Sequence, residues 1–295
     1  MAKTVYTYLK LLRIHQWVKN LFVFAPIFFS FSFLNLEALI NALYAFIGFS
    51  FIASSIYIIN DWKDIELDRQ HPTKKERPLA SKDISVRNAF MVCIALLILG
   101  FSTYLFILKN DIAAILLFFY FVLNVFYCFK LKQLSIVDIT IVAIGFVIRL
   151  FIGSTVTSIA LSHWIIILTF LLALLLVVGK RRNDVVIFAE TGQEMRKSIT
   201  GYNIEFLNTI ITSVVTIIIF SYIMYTISSE VILRNGEHLY ITSLFVILGL
   251  FRYLQAIFVE KKGDSPTKLV LKDRFLQITI LCWIVSFILI RFFYK

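Results

Sequence analysis

The sequence predicts an all-α, polytopic membrane protein of about nine transmembrane helices, and three observations predict it. Of its 295 residues 60% are hydrophobic and only 16% charged, with a mean hydropathy of +0.87. A water-soluble domain cannot keep that much apolar surface out of solvent. Apolar runs of the roughly 20 residues needed to cross a hydrocarbon core of about 30 Å recur from one end to the other. Lysine and arginine gather in alternate gaps between the runs, the asymmetry that membrane insertion imposes.

The elements follow in order. The opening Met1-Ala2-Lys3 is not followed by a short apolar core and a small-residue cleavage site, so the first apolar run is expected to stay in the protein. Residues 3–16 put Val5, Tyr8, Leu9 and Leu12 on one helical face and Lys3, Lys10 and Arg13 elsewhere. That pattern predicts an amphipathic start over residues 1–17, lying on the membrane surface. Spans are then expected near 18–34, 38–59, 87–108, 112–129, 137–156, 162–179, 206–227, 238–259 and 273–293. No internal repeat, Gly/Ser linker or low-complexity tail interrupts them, which predicts a single intramembrane domain over 1–295.

Of the 29 lysines and arginines, 23 fall on one side: before the first span and at Lys19 at its start, in the 60–87, 180–197 and 260–274 loops, and at Lys130 and Lys132. Lys109, Arg234, Arg291 and Lys295 fall on the other side, and Arg149 and Arg252 lie within spans. The amino terminus and the loops 60–86 and 180–204 are therefore expected in the cytoplasm of a bacterial inner membrane, with the carboxyl terminus outside. The net charge of +11 is mostly this bias and suits anionic lipid headgroups. Spread over five short loops, it is not a nucleic-acid signal. Cys93, Cys128 and Cys282 and the four histidines are scattered, without metal-ligand spacing.

The chemistry concentrates where the second span ends, at Asn60-Asp61-Trp62-Lys63-Asp64-Ile65-Glu66-Leu67-Asp68-Arg69. If the helix continues at about 100° per residue, Asn60, Asp61, Asp64 and Asp68 share one arc and Glu66 points away. Three carboxylates on one face repel one another unless a cation sits among them, and hard oxygen ligands at a helix end suit Mg²⁺ shared with phosphate. The following His71-Pro72-Thr73-Lys74-Lys75-Glu76-Arg77-Pro78 holds a basic patch beside the acids, with Arg69, Lys74 and Arg77 offering phosphate donors. Further on, Tyr127 and Lys132 end the fourth span, and Asp138 and Arg149 are charges costly in hydrocarbon. Lys180-Arg181-Arg182-Asn183-Asp184, with Glu190, Arg196, Lys197 and Tyr202 beyond, forms a second basic and acidic helix exit expected on the same membrane side.

Asn60-Asp61-x-x-Asp64-x-x-x-Asp68 resembles the first aspartate-rich motif of the UbiA prenyltransferase superfamily, and Tyr127-x-x-x-Leu131-Lys132 resembles its Tyr/Lys motif. The resemblance covers the whole chain in span number and motif order, and implies a UbiA-type helical bundle around a central cavity. Gln16-Trp17-Val18-Lys19-Asn20, the 60–78 run and Gly179-Lys180-Arg181 with Asp184 and Glu190 are similar to the decaprenyl-phosphate phosphoribosyltransferase branch. That branch usually has glutamate where this chain has Asp184, and the second DxxxD motif of aromatic prenyltransferases is absent. The resemblance implies Mg²⁺-dependent transfer of 5-phosphoribosyl from phosphoribosyl pyrophosphate to a polyprenyl phosphate. In that reading Asn60, Asp61, Asp64 and Asp68 hold the metal; Lys19, Asn20, Arg69, Lys74, Arg77, Tyr127, Lys132 and Arg149 contact substrate. Lys180, Arg181, Asp184 and Glu190 orient the sugar, and Lys19, Arg77, Lys180 and Arg181 supply surplus charge for a 5-phosphate.

Two other readings stay open at this point. A prenyltransferase moving a prenyl group from prenyl diphosphate to an aromatic acceptor would use the same kind of metal site. A secondary transporter would place its polar groups near the bilayer midplane in broken helices, whereas these acids gather at helix ends.

Overall fold

The computed structural model describes residues 2–70, 73–192, 197–260, 269–270 and 272–293. Among them the regular structure is helical, as a chain in lipid requires: a helix satisfies every backbone donor and acceptor within its own segment. Eight helical stretches among the described residues are long and apolar enough to cross a membrane. They run Leu36–Lys63, Val86–Ile107, Asp111–Phe129, Val137–Thr157, His163–Glu190, Ile204–Ile227, Glu237–Phe258 and Arg274–Phe293.

The expected first span is built differently. Residues Ile14–Phe24 form a 3-10 helix, followed by a six-residue α-helix, Ala25–Ser30, with Pro26 in its first turn. Proline fits there because it lacks the N–H that a first turn leaves unsatisfied. About nine spans thus becomes eight long helices plus this composite segment.

The contacts divide the chain into two compact units, residues 1–132 with 144–161 and residues 133–143 with 162–295. The first unit holds α1 (Ala2–Leu12), the 3-10 segment, α2 (Ala25–Ser30), α3 (Leu36–Lys63), α4 (Ile65–Gln70), α5 (Val86–Ser102), α6 (Asp111–Phe129) and the second half of α7 (Val137–Thr157). Its core gathers Val23, Phe49, Ile52, Tyr104, Leu117, Tyr120 and Ile152. In α1, Leu11 is the buried residue and Tyr8 and Leu12 pack beside it, while Val5 and Leu9 stay exposed.

One contact of this unit fixes where polar groups meet. A Cβ at Gly153 would stand 2.1 Å from the Val23 carbonyl oxygen, so only glycine lets α7 lie this close to the 3-10 segment. That approach brings Asn20 within reach of Arg149, one turn earlier on α7.

The second unit holds the first turns of α7, α8 (His163–Thr191), α9 (Ile204–Ile227), α10 (Ser229–Asn235), α11 (Ser243–Phe258) and α12 (Arg274–Phe293). Val178, Leu207, Ile211, Val215, Ala256 and Ile257 are fully or nearly fully buried in its core. Helix α8 does not stop at residue 179, where the apolar run ends. It continues to Thr191 and is closed by Gly192 at φ +68°. No helix breaker lies between the two points, and glycine takes the left-handed C-cap without a Cβ penalty. Lys180, Arg181, Asp184 and Glu190 therefore stand on a helical extension rather than in a loop.

Candidate functional site

Helix α3 carries the acidic exit. Its last turns present Asn60 and Asp61, Asp64 caps it at φ −100° and ψ 10°, and α4 starts at once with Asp68 on its first turn. The Asp64 N–H still donates to the Asn60 carbonyl and the Asp68 N–H to the Asp64 carbonyl. The helical path is thus nearly continuous, but the carboxylates separate into two groups.

Asp61 and Asp68, both buried, converge on one cation. Arg77 donates through one nitrogen to Asp61 Oδ1 at 3.0 Å and to Asp68 Oδ2 at 2.6 Å. Arg13 makes a second ion pair with Asp61 Oδ1. Asp64 turns to Lys132, whose ammonium donates to its two oxygens at 2.6 and 2.8 Å and, at 3.4 Å, to Asn60 Oδ1. Glu66 points away, exposed and paired with Arg69 on the next turn. Arg69 also donates to the Ala80 carbonyl, tying α4 to the chain after the prolines.

In this arrangement the protein itself places cations among the three acids. Arg13, Arg77 and Lys132 supply one positive charge for each of Asp61, Asp64 and Asp68. Among the described residues no three His, Cys, Asp or Glu side chains stand close enough to hold a metal by themselves. The donors nonetheless fit a divalent cation in kind. They are all hard oxygens, and two carboxylates already meet on a single cationic nitrogen.

Other expected residues of the first unit lie elsewhere. Tyr127 is half-buried on the last turn of α6, and Lys74 is half-buried on a 3-10 turn, Lys74–Glu76. Asn20, Arg149 and, beside them, Lys19 form a separate polar cluster. Arg149 is buried and donates to Asn20 Oδ1 at 2.9 Å, the Gly145 carbonyl at 2.7 Å and the Tyr120 hydroxyl at 3.0 Å. Its guanidinium lies against the rings of Phe49, Tyr120 and Phe146. Asn20 in turn donates to Ser50 Oγ at 2.9 Å.

In the second unit Arg181 is buried and not displayed for phosphate. Its Nε donates to Asp138 Oδ2 at 2.5 Å and its NH1 to Asp184 Oδ2 at 2.9 Å. Asp138 also accepts from the Tyr202 hydroxyl at 2.7 Å and from Ser198 at 3.3 Å. Burial, followed by the bond to Asp138, holds the Tyr202 phenol well above its usual pKa, so it remains a donor. Lys180 and Glu190 are exposed, and Asp184 is half-buried beside Arg181. His71, Pro72, Arg196 and the Lys197 side chain lie outside the described residues.

The four cations expected to share a 5-phosphate thus divide: Arg77 and Arg181 are committed to carboxylates, Lys180 is exposed on α8, and Lys19 stands near Arg149. Sequence reasoning missed Arg13, which has no motif around it, and Tyr120, hidden in an aromatic run. A separate open cavity of about 610 Å³, lined by Leu248, Phe251, Arg252, Gln255, Asp273, Arg274 and Phe275, contains none of the expected site residues. Arg252 there is engaged by Asp273, Glu260 and Gln255.

Comparison with known proteins adds the family. The sequence matches the UbiA prenyltransferase family over residues 20–278. It is 30% identical over 284 residues to the decaprenyl-phosphate phosphoribosyltransferase of Corynebacterium glutamicum, covering 95% of this chain and 85% of the relative. It is 29% identical over 289 residues to the protein of that name from Mycobacterium tuberculosis, covering 97% and 94%. Its fold is similar to a UbiA homolog from Archaeoglobus fulgidus bound to GPP and Mg²⁺, with a TM-score of 0.73, 20% identity and coverage of 96% and 99%. The same homolog bound to DMAPP and Mg²⁺ gives a TM-score of 0.72, with 97% and 99% covered.

Proposed function

Because the chain belongs to the UbiA prenyltransferase family, a family of membrane transferases, we propose that it moves 5-phosphoribosyl from phosphoribosyl pyrophosphate to a polyprenyl phosphate, releasing pyrophosphate. The observation that carries the reading is the α3 exit, where three carboxylates and three cations stand in matched pairs. Such a set binds a metal diphosphate by exchange: carboxylates turn to the metal and the freed cations to phosphate oxygens. Similarity to decaprenyl-phosphate phosphoribosyltransferases over nearly the whole chain favours the phosphoribosyl branch. The transporter reading lapses with membership of a transferase family.

Asn60, Asp61, Asp64 and Asp68 would hold the divalent cation, Mg²⁺ in this proposal. Bound there, it would neutralise the diphosphate and make it a better leaving group. Lys132, freed from Asp64, would donate to the departing diphosphate, with Arg77 and Arg13 contributing from Asp61 and Asp68. Arg69 and Lys74 flank this exit, and Tyr127 precedes Lys132 on α6. Lys180, Asp184 and Glu190 are proposed sugar contacts, with Arg181 fixing Asp184 rather than meeting phosphate.

The reaction needs little more than charge and position. An oxygen of the lipid phosphate attacks the anomeric carbon of ribose, and the bond from that carbon to the diphosphate breaks with its electron pair. The attacking oxygen is already anionic, so no general base is required. We propose that residues 1–295 act together as one transferase domain.

Purified protein, magnesium, radiolabelled phosphoribosyl pyrophosphate and a polyprenyl phosphate should yield a labelled lipid. Prenyl diphosphate with aromatic acceptors should yield none. The reverse result would install the prenyltransferase reading instead.

A further inference from the structure

Arg149 presents a problem that the diphosphate site does not solve. Its guanidinium is buried in the first unit, and all its hydrogen-bond partners are neutral oxygens, those of Asn20, Gly145 and Tyr120. A buried charge without a counter-ion is costly, and three aromatic faces offset only part of that cost. Lys19 adds to the imbalance. Among the described residues it makes no hydrogen bond or ion pair, and the charges that bear most on it are those of Arg149 and Arg13, both positive. The nearby carboxylate, Asp61, is already shared between Arg13 and Arg77. Arg149 and Lys19 therefore leave two positive charges unmatched.

Resting on the phosphoribosyl-transfer reading, we infer that Lys19, Asn20 and Arg149 form an anion subsite for the phosphate of the lipid acceptor, distinct from the acidic exit that handles the donor's diphosphate. A phosphate monoester carries about −1.5 to −2 charges at neutral pH, which matches the two unmatched cations. Arg149 gives a planar set of donors, Lys19 a mobile point charge, and Asn20 an amide already oriented by Ser50. The walls suit the rest of the molecule. Half-buried Phe22, in edge contact with Phe146 at 5.1 Å between ring centres, presents apolar surface to the first prenyl units, and buried Phe49 and Phe146 back the cluster from the core. A soluble sugar diphosphate has no use for such walls, whereas a prenyl monophosphate needs both parts.

The sequence distance of this cluster from the α3 exit has a chemical reading. Tyr57, one turn before Asp61 on α3, feels the charges of Arg149, Arg13 and Asp61, so cluster and exit are neighbours within the first unit. A phosphate held by Lys19 and Arg149 would be kept anionic near the exit without displacing the donor's diphosphate.

The test measures binding, in the detergent-solubilised full chain, of farnesyl monophosphate, of phosphoribosyl pyrophosphate with Mg²⁺, and of inorganic phosphate. Lys19→Gln should weaken farnesyl monophosphate about ten- to a hundredfold, the effect of one charge-assisted contact, and change phosphoribosyl pyrophosphate less than threefold. Arg149→Lys keeps the buried charge and should show the same preference in case Arg149→Ala does not fold. Inorganic phosphate should bind more weakly than farnesyl monophosphate, because it lacks the prenyl chain. Equal losses for both substrates, losses confined to phosphoribosyl pyrophosphate, or no farnesyl monophosphate binding by the unmodified protein would each overturn the subsite. If Lys19→Gln loses farnesyl monophosphate selectively while no phosphoribosyl transfer occurs, the subsite stands and the proposed reaction falls.

Discussion

Arg77→Ala is the perturbation most sharply defined by the geometry. One nitrogen of Arg77 bridges Asp61 and Asp68, whose side chains are 2% and 5% exposed. Its removal leaves Asp61 with Arg13 and Asp68 with no cation. Breaking a buried pair by removing one partner costs about 3–5 kcal/mol. Arg77 is itself 23% exposed, so water reaches it and the lower end of that range applies. For a chain of this size roughly 3 kcal/mol lowers the melting temperature by about 6–12 °C. The proposal of a metal among these acids makes a second statement. With Arg77 gone, Mg²⁺ should meet a free Asp68 and need displace only Arg13 from Asp61, and should recover more stability in the variant than in the parent protein. Thermal unfolding in detergent, by intrinsic fluorescence with chelator and then with millimolar Mg²⁺, measures both. An unchanged melting temperature in chelator would refute the charge-pair account. A loss that Mg²⁺ does not selectively repair would refute the placement of the metal.

Other perturbations read separate parts of the structure. Chelation of the unmodified protein should lower its melting temperature by no more than a few degrees, because Asp61, Asp64 and Asp68 each have a protein cation; a collapse on chelation would mean the metal is structural. Gly153→Ala drives a methyl against the Val23 carbonyl and should destabilise by about 1–3 kcal/mol, measured by thermal unfolding, and should also weaken prenyl monophosphate binding through Asn20. Tyr202→Phe removes the donor to Asp138 and the acceptor of the Ile136 N–H, and should cost about 1–3 kcal/mol of stability while sparing phosphoribosyl pyrophosphate affinity.

What could be read from the sequence divides along a physical line. The apolar runs are local, and eight of them stand within a few residues of the expected spans at most ends. Their starts carry a local signal too. Asn35, Ser85, Asn110, Ser162 and Asn203 each accept a bond from the N–H three residues on, so capping chemistry marks five helix starts. The first run escaped because hydrophobicity does not distinguish a 3-10 helix from an α-helix. Helix α8 overran its expected end because charge stops an apolar run but does not stop a helix, and Gly192 was the true terminator.

The acidic exit was legible in composition and the pairing within it was not. Arg13 lies 48 residues from Asp61, and Lys132 lies 68 from Asp64. No local rule links such positions. The solitary buried Arg149 was flagged by its cost in hydrocarbon, but its neutral partners Asn20, Tyr120 and Gly145 came only with the fold.

The central claim is that the exit of α3 handles the donor's diphosphate, and paired variants on that exit test it most directly. Asp64 faces Lys132, whereas Glu66, two residues on, is exposed and meets only Arg69. Initial rates of phosphoribosyl transfer to polyprenyl phosphate should fall by at least a hundredfold in Asp64→Asn, with the protein still folded by thermal unfolding, and by less than threefold in Glu66→Gln. Equal losses in the two variants, or full activity in Asp64→Asn, would contradict the account and place the chemistry elsewhere.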